Sequence, residues 1–563
     1  MSVVLRPLFP TALAAAVVLQ APALAAPPTL EHLFPPSARP GSTNELTGVG
    51  TLTPWPAPLV FNHPGIRAVP TTNSPRYTLT VDASVPPGTY LARALNDEGA
   101  SAPRFLIVDP RPTRLETEPN DAADKAQPIP SLPAIVEGRL EKRDDVDTYE
   151  ISLSRGRTLV ARVEAFILGS PLDAVLRLRD HRGSLVTWNH DDGFTFDPFL
   201  HFTAPADGKY RLEVFGFPHP ADSDIRFTGN ARCVYRLHLD DGPYAFGTEP
   251  AGLSRSNPAP SRLLGWNLGP LTNAVPLRIP AQAGPGIRWT TVEIPDVAGP
   301  PRLPAGDGPE SLESREANDS PTNHTVLPVP GAATGIIAKP RERDRYAFQA
   351  IKGVTYRADV QASALGSPLD ASLAILDTAG KELAQNDDAS MGDPSLSWKA
   401  PSNGTFIASV GSPLSKAGPD HRYRLEIQPI APGIRAVAAA SSVTAEAGRT
   451  NELKVTLERL GGLEGTVRVE PGPLPEGVTV APAEAAAGAN EVTVQFISGT
   501  NAPAAQVPLQ LFARSATNGL SASVLHAIAT TGENNGVPQG FHQLLVNDTD
   551  WLWLTVRKPA AKP

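Results

Sequence analysis

Six residues, Leu168-Gly169-Ser170-Pro171-Leu172-Asp173, recur unchanged as Leu365-Gly366-Ser367-Pro368-Leu369-Asp370, 197 positions further on. Around them the same signals return in the same order. Glu118-Pro119-Asn120-Asp121 is echoed by Glu316-Ala317-Asn318-Asp319, and Asp147-Thr148-Tyr149 by Asp344-Arg345-Tyr346. Asn189-His190-Asp191 returns as Asn386-Asp387-Asp388, and Tyr235-Arg236-Leu237 as Tyr423-Arg424-Leu425. A hexapeptide identity inside a collinear series marks a duplicated domain.

Each copy alternates with a period of two. Leu159, Ala161 and Val163 are interleaved with Arg162 and Glu164, and Tyr210, Leu212 and Val214 with Arg211 and Glu213. The second copy sets Val354, Tyr356, Ala358 and Val360 against Arg357 and Asp359. That period buries one face and wets the other, which predicts antiparallel sandwich strands. Turn signals such as Arg182-Gly183, Asp207-Gly208 and Asn403-Gly404 fall at sandwich spacing. The intervals pair more faintly: Phe34-Pro35 through Gly48-Val49-Gly50 resembles Glu249-Pro250 through Gly265-Trp266. The expected class is therefore all-β, a string of tandem sandwiches, Ig-like and jelly-roll-like. The expected boundaries are an Ig-like module at 27–110, a first duplicated sandwich at 113–241, an Ig-like module at 243–308, a second duplicated sandwich at 312–430 and a C-terminal Ig-like module at 433–557.

Composition narrows this further. The 61 prolines exclude helical repeats and coiled coils. With 58 acidic against 49 basic side chains and no basic block, nothing is available to neutralise a phosphate backbone, so nucleic acid is not an expected partner. The single cysteine, Cys233, excludes an intrachain disulfide and any multi-cysteine zinc site. Residues 1–25 read as a secretory signal: Arg6, an apolar run over 11–19, and a small-x-small Ala23-Leu24-Ala25 end. No later stretch is long and apolar enough to span a membrane. An exported chain without disulfides needs another brace.

The two copies resemble the bacterial pre-peptidase C-terminal domain, related in fold to the collagen-binding domains of clostridial collagenases. The resemblance rests on Glu116-x-Glu118-Pro119-Asn120-Asp121, Asp145-x-Asp147-x-Tyr149, Gly169-Ser170-Pro171-Leu172-Asp173, Asn189-x-Asp191-Asp192 and Ala204-Pro205-x-x-Gly208-x-Tyr210. It covers under half of the chain, and no peptidase domain accompanies it. The flanking modules look like those found beside such domains in planctomycete-type secreted proteins.

Glu116, Glu118 and Asn120 stand at i, i+2 and i+4, on one side of an extended segment. Asp121 and the turn Asp144-Asp145-Val146-Asp147 add oxygen. Hard oxygens in that number suit calcium. The collagen-binding relatives use the matching segment and turn for calcium, which carries a Ca2+ ligand role to Glu116, Glu118, Asn120, Asp121, Asp144 and Asp147. A solvated acidic linker fits the same spacing. In the second copy Ser314 falls in line with Glu116 and Arg341 with Asp144, leaving Glu316, Asn318, Asp319 and Asp344 as a candidate weaker second site.

Two further groups stand out. Phe194, Phe196, Phe215 and Phe217 belong to the first copy alone, as candidate ligand-binding loops for polysaccharide or extended peptide, or as rings that cap the sandwich. Asp173, Asn189, Asp191 and Asp192 read chiefly as a turn. No nucleophile elbow, zinc helix or phosphate loop is present in the sequence. The expectation is a non-catalytic exported binding or scaffold protein, calcium-stabilised in its first duplicated domain, in the periplasm, at the surface or outside the cell. Its partners would be extracellular polysaccharide or protein. The alternatives are an accessory of a secreted peptidase or glycosidase, or a structural envelope protein.

Overall fold

In the computed structural model the described residues are 26–558, apart from 193–194, 220–222, 224–225, 259, 273, 278, 280–288, 300, 314–323, 390–391 and 529–543. The expected signal at 1–25 therefore lies outside them. Among the described residues every regular element is a strand, save three single 3-10 turns.

The repeat is exact at the level of topology. In the first copy one sheet orders its strands Thr113–Leu115, Ala134–Arg139, Val234–Asp240, Thr158–Glu164 and Phe199–Thr203. The facing sheet runs Gln127–Pro128, Asp147–Leu153, Gly208–Pro218, Leu172–Arg179 and Leu185–Asn189. The second copy repeats both orders strand for strand, from Glu310–Leu312 to Ser395–Lys399 and from Thr325–Val326 to Glu382–Asn386. The alternating apolar residues face inward: Leu159, Ala161, Val163, Leu212, Val214 and Leu237 form one core with Tyr149 and Tyr235. Their counterparts Tyr356, Ala358, Val360, Ala408, Val410 and Leu425 form the other with Tyr346 and Tyr423.

The repeated hexapeptide has a structural explanation. The 3-10 turn Phe166–Leu168 ends on Gly169 at φ 79°, a left-handed position that favours glycine. The carboxylate of Asp197 accepts the backbone N–H groups of Ala165, Phe166 and Ile167 at 2.8, 2.6 and 3.0 Å. Ser170 Oγ then donates to Arg232 O at 3.1 Å. Gly366, Asp393 and Ser367 repeat all three devices.

The flanking modules differ from one another. Over 32–108 a single sheet places His32–Phe34 and Ser37–Ala38 at opposite ends of its strand order. Strands so close in the chain cannot lie at distant edges, so the sheet is rolled around Leu30, Leu46, Tyr77 and Leu106. Over 244–306 two three-stranded sheets enclose Leu253, Leu263, Val292 and Leu303. The C-terminal module pairs a nine-stranded with a three-stranded sheet, the latter with Leu552–Arg557 as its central strand.

A buried arginine of the repeated Tyr-Arg-Leu motif sits at each seam with the preceding module. Arg236 lies 2.8 Å from Asp109 and 2.9 Å from Glu164, and Arg424 lies 2.6 Å from Glu310 and 3.2 Å from Glu426. Trp266 joins the first copy to the module after it, stacked on His201 at 4.4 Å and tilted against Phe199 at 5.5 Å.

Within this string of modules the first is in contact with the last. Arg93, fully buried, donates to Ser441 O and Trp551 O at 3.2 and 2.8 Å and lies over the Trp551 ring. Leu91 and Phe105 share a core with Ile528 and Leu544, and Arg557 pairs with Glu98. Leu545 N also donates to Ile167 O, at 2.9 Å, so the C-terminal module touches the first duplicated sandwich as well.

Candidate functional site

The acidic segment and the acidic turn meet at one end of the first duplicated sandwich. The segment 116–121 follows strand Thr113–Leu115, and Thr148 N donates to Asn120 O at 3.2 Å, which lays it against the start of Asp147–Leu153. Ligand atoms of Glu118, Asp121 and Asp145 all lie within 4.8 Å of one another. Asn120, Asp145 and Asp147 are fully buried. Glu118 Oε1, Asn120 Oδ1 and Asp147 Oδ1 are buried with no hydrogen-bond partner, and Asp145 Oδ1 meets only the Lys142 ammonium, at 3.2 Å. A buried polar atom left unpaired costs about 1–3 kcal/mol, and more when charged, so the carboxylate oxygens of Glu118 and Asp147, beside an Asn120 amide unpaired at both its atoms, mark a site short of partners.

The inner half of the site is a hydrogen-bonded chain. Glu116 Oε1 accepts Arg139 N at 2.8 Å. Tyr235 Oη donates to Asp147 and lies 3.3 Å from Glu116 Oε2, while Tyr149 Oη lies against Tyr235 Oη. Gly138 makes this approach feasible, since a Cβ there would sit 2.3 Å from Tyr235 Oη and 2.6 Å from Glu116 Oε2. Burial, then the Asp147 carboxylate, pushes Glu116 far above the usual carboxylate range, and burial raises Asp147 too. Burial and the Asp121 carboxylate raise Asp145. Carboxylates so placed take up protons or share a cation. Lys142 supplies part of that charge, 2.9 Å from Asp121 Oδ2.

Of the six expected ligand residues, Glu118 and Asp121 meet with Asp145, Glu116 and Asp147 meet at Tyr235 Oη, and Asn120 is buried in the same segment, whereas Asp144 is turned away. Asp144 adopts a left-handed φ of 63°, and its exposed side chain turns toward Arg226, 3.8 Å away. Asp145 takes its place, held by the backbone N–H of Glu141 and Lys142. Its signal was present in the Asp145-x-Asp147 motif, where period two sets both side chains on one side.

The second copy requires a correction. Ser314 does not stand where Glu116 does: Glu313 follows strand Glu310–Leu312 and accepts Ile336 N at 3.1 Å, just as Glu116 accepts Arg139 N. One extra residue between Glu313 and Glu316 shifts the register. Tyr423 donates to Asp344 at 2.6 Å and meets Tyr346 at 2.7 Å, so the inner half is repeated entire. Arg341, at φ 69°, replaces Asp144 only as a turn residue. Glu316, Asn318 and Asp319 lie outside the described residues.

Of the aromatic residues, Phe194 also lies outside them. Phe196 packs on Phe166 and His219 at 4.9 and 5.0 Å. Phe215 is buried under Arg177 and against Phe227, and Phe217 packs 5.7 Å from Phe227. The exposed aromatic residue on that face is Trp188, on strand Leu185–Asn189 and not in a loop. Asp173 bonds His190 at 2.9 Å, while Asn189 Oδ1 accepts Phe199 N. Asp192 closes a turn with Thr195. Cys233 is buried, and burial pushes its thiol up.

These features define an all-β protein built on a duplicated sandwich. No protein-family profile matches the chain. Over 78 residues, 14% of its length, it is 41% identical to a probable subtilase-type serine protease of Deinococcus radiodurans. That stretch covers 11% of the protease, so the chain spans about a tenth of that relative. Among solved structures, the S-layer protein rSbsC(31-844) aligns over 90% of this chain and 55% of its own, at 10% identity and a TM-score of 0.14, too low to relate the two folds. No helix among the described residues is long and apolar enough to cross a membrane.

Proposed function

We propose that this chain is an exported, non-catalytic binding or scaffold component of a bacterial envelope, and that a divalent cation, calcium by its oxygen ligands, braces its first duplicated sandwich. The observation that carries the cation is the cluster of buried oxygens without hydrogen-bond partners on Glu118, Asn120 and Asp147, beside an Asp145 oxygen that faces the Lys142 ammonium. Glu118, Asn120, Asp121, Asp145 and Asp147 would hold the ion, with Glu116 steadying Asp147 through Tyr235. Bound calcium would neutralise the cluster and tie segment 116–121 to the turn at 141–147, doing for a chain with one cysteine what disulfides do elsewhere. The welded seams and the closure of the first module on the last suit a rigid platform that presents a surface to polysaccharide or protein.

Calorimetric titration of the full chain with Ca2+ tests the cation. Saturable binding that raises the melting temperature and is lost in Asp145→Asn supports it, and an unchanged melting temperature in calcium and in chelator would refute it. The local likeness to a subtilase-type protease favours a second reading, an accessory that holds a separately encoded peptidase near its substrate. Co-purification of a peptidase from the native envelope would distinguish the two.

A further inference from the structure

The outer face of the sheet that contains Leu172–Arg179, Leu185–Asn189 and Gly208–Pro218 carries a groove of about 400 Å3. Val175, Leu185, Trp188, Phe215 and Phe217 line it, with Arg177 and His190 at its rim. Trp188 is 58% and Leu185 52% exposed, two large apolar side chains side by side in water on an otherwise well-filled domain. The volume lies within the range of small-ligand sites, roughly 300–1,000 Å3.

The second copy shows that the fold does not need these residues. Strand pairing places Gln385 where Trp188 stands, Glu382 for Leu185, Gly411 for Phe215 and Asp387 for His190. On the inward face of the same strands, Leu172, Leu176 and Val214 are matched by Leu369, Leu373 and Val410. One side of the sheet is preserved and the other is replaced, so the aromatic groove is an addition to the frame.

Its chemistry selects an occupant. Glu213 pairs with both Arg177 and Arg179, and His190 lies 2.9 Å from Asp173 and 3.8 Å from Asp191, so groups of both signs are paired around the groove and no single sign dominates for an ionic ligand. The groove floor is a sheet face, where the backbone N–H and C=O groups of Leu172–Arg179 and Gly208–Pro218 are engaged in the ladder on both sides, and Leu185–Asn189 is the edge strand, paired on one side. A peptide laid across it would bury its own backbone groups without partners. A neutral pyranose differs: its C–H face suits the exposed Trp188 ring. Its rim hydroxyls reach the fixed donors and acceptors of Arg177, His190 and Asp173. A flat aromatic ring provides this contact at little cost in side-chain entropy.

We propose that this groove binds a neutral polysaccharide segment, stacked on Trp188. The proposal rests on the reading of the chain as an envelope binding protein, and is independent of the cation site. The test is retention of the full chain on soluble mixed-linkage glucan, xylan and chito-oligosaccharides in affinity electrophoresis, beside sedimentation with the native envelope fraction. Wild type is expected to be retarded by at least one of them, and Trp188→Ala to weaken retention about tenfold or more. The melting temperature should be unchanged, because the ring is exposed. The double variant Leu185→Glu/Trp188→Gln, carrying residues that the sister frame already accommodates, should behave alike. Retention unaffected by both variants, or absent for all three neutral polymers, overturns the proposal, as does Trp188-dependent binding of an extended peptide instead. Sedimentation with the envelope but no retention on any polysaccharide sinks this inference alone, whereas failure of both sinks the binding reading too.

Discussion

The two duplicated sandwiches share one frame and differ in what they display. Buried arginine at the module seam, aspartate clamp on the 3-10 turn, serine anchor and the tyrosine–aspartate–glutamate chain all occur twice. Outside that frame the copies part, with an exposed tryptophan in the first and glutamine and glutamate in the second. Duplication makes the comparison an internal control: what both copies keep is required by folding, and what one copy alone carries is available for a task. By this measure Glu116, Asp147 and Tyr235 belong to the frame as much as to any cation, whereas the Trp188 groove belongs to the first copy alone.

The comparison can be broken at several points. The largest effect is expected at the seams. Arg236→Ala and Arg424→Ala each strand buried carboxylates, and each should destabilise its own sandwich by about 3–5 kcal/mol. Hydrogen exchange of strands Ala134–Arg139 and Gly331–Ile336 would show this, and loss in one copy only would mean that the seams are not equivalent. Next is the cation site, where Asp145→Asn should weaken calcium binding about tenfold or more while leaving the second copy unaltered.

Acid should then separate the copies. Burial holds His238 at a pKa of about 4, against 6.5 in an unfolded chain, with Glu164 3.0 Å away and Arg162 and Arg236 beside it. The unfolded state therefore takes up a proton first as pH falls. The His238 contribution is fully present above about 6.5 and is lost progressively down to about 4. Glu426 occupies the corresponding place beside Arg424, so hydrogen-exchange protection should fall across that window at the first seam more than at the second. His238→Gln should flatten the difference. The smallest effect belongs to Lys142, whose ammonium already sits on Asp121 and Asp145. Lys142→Met should tighten calcium binding a few-fold, and weakened binding would instead make the ammonium part of the site's support.

Much of the frame was readable because its signals are local. Period-two alternation placed Leu159, Leu212 and Val360 inward, and a repeated hexapeptide revealed the duplication. The meaning of that hexapeptide was not local, since Asp197 closes its turn from some thirty residues away. The closure of the chain was hidden for the same reason: Arg93 meets Ser441 and Trp551 across several hundred residues, and nothing in its own neighbourhood announces them. At the site, the acidic motif pointed to a segment and a turn that meet in space. It chose Asp144 over Asp145 because spacing does not reveal which aspartate of a pair adopts a left-handed backbone. The one-residue insertion before Glu316 concealed Glu313 in the same way. Trp188 was legible by parity, lying two residues before His190 on an outward face, but it sits on a strand and not in a loop.

Calorimetry of the full chain titrated with Ca2+, beside Asp145→Asn, addresses the cation-braced frame most directly. Saturable binding in the wild type and its loss in the variant is the predicted result. No binding heat in the wild type, or an isotherm indifferent to Asp145, would show that the buried oxygens of the first sandwich are held by protons and Lys142 alone.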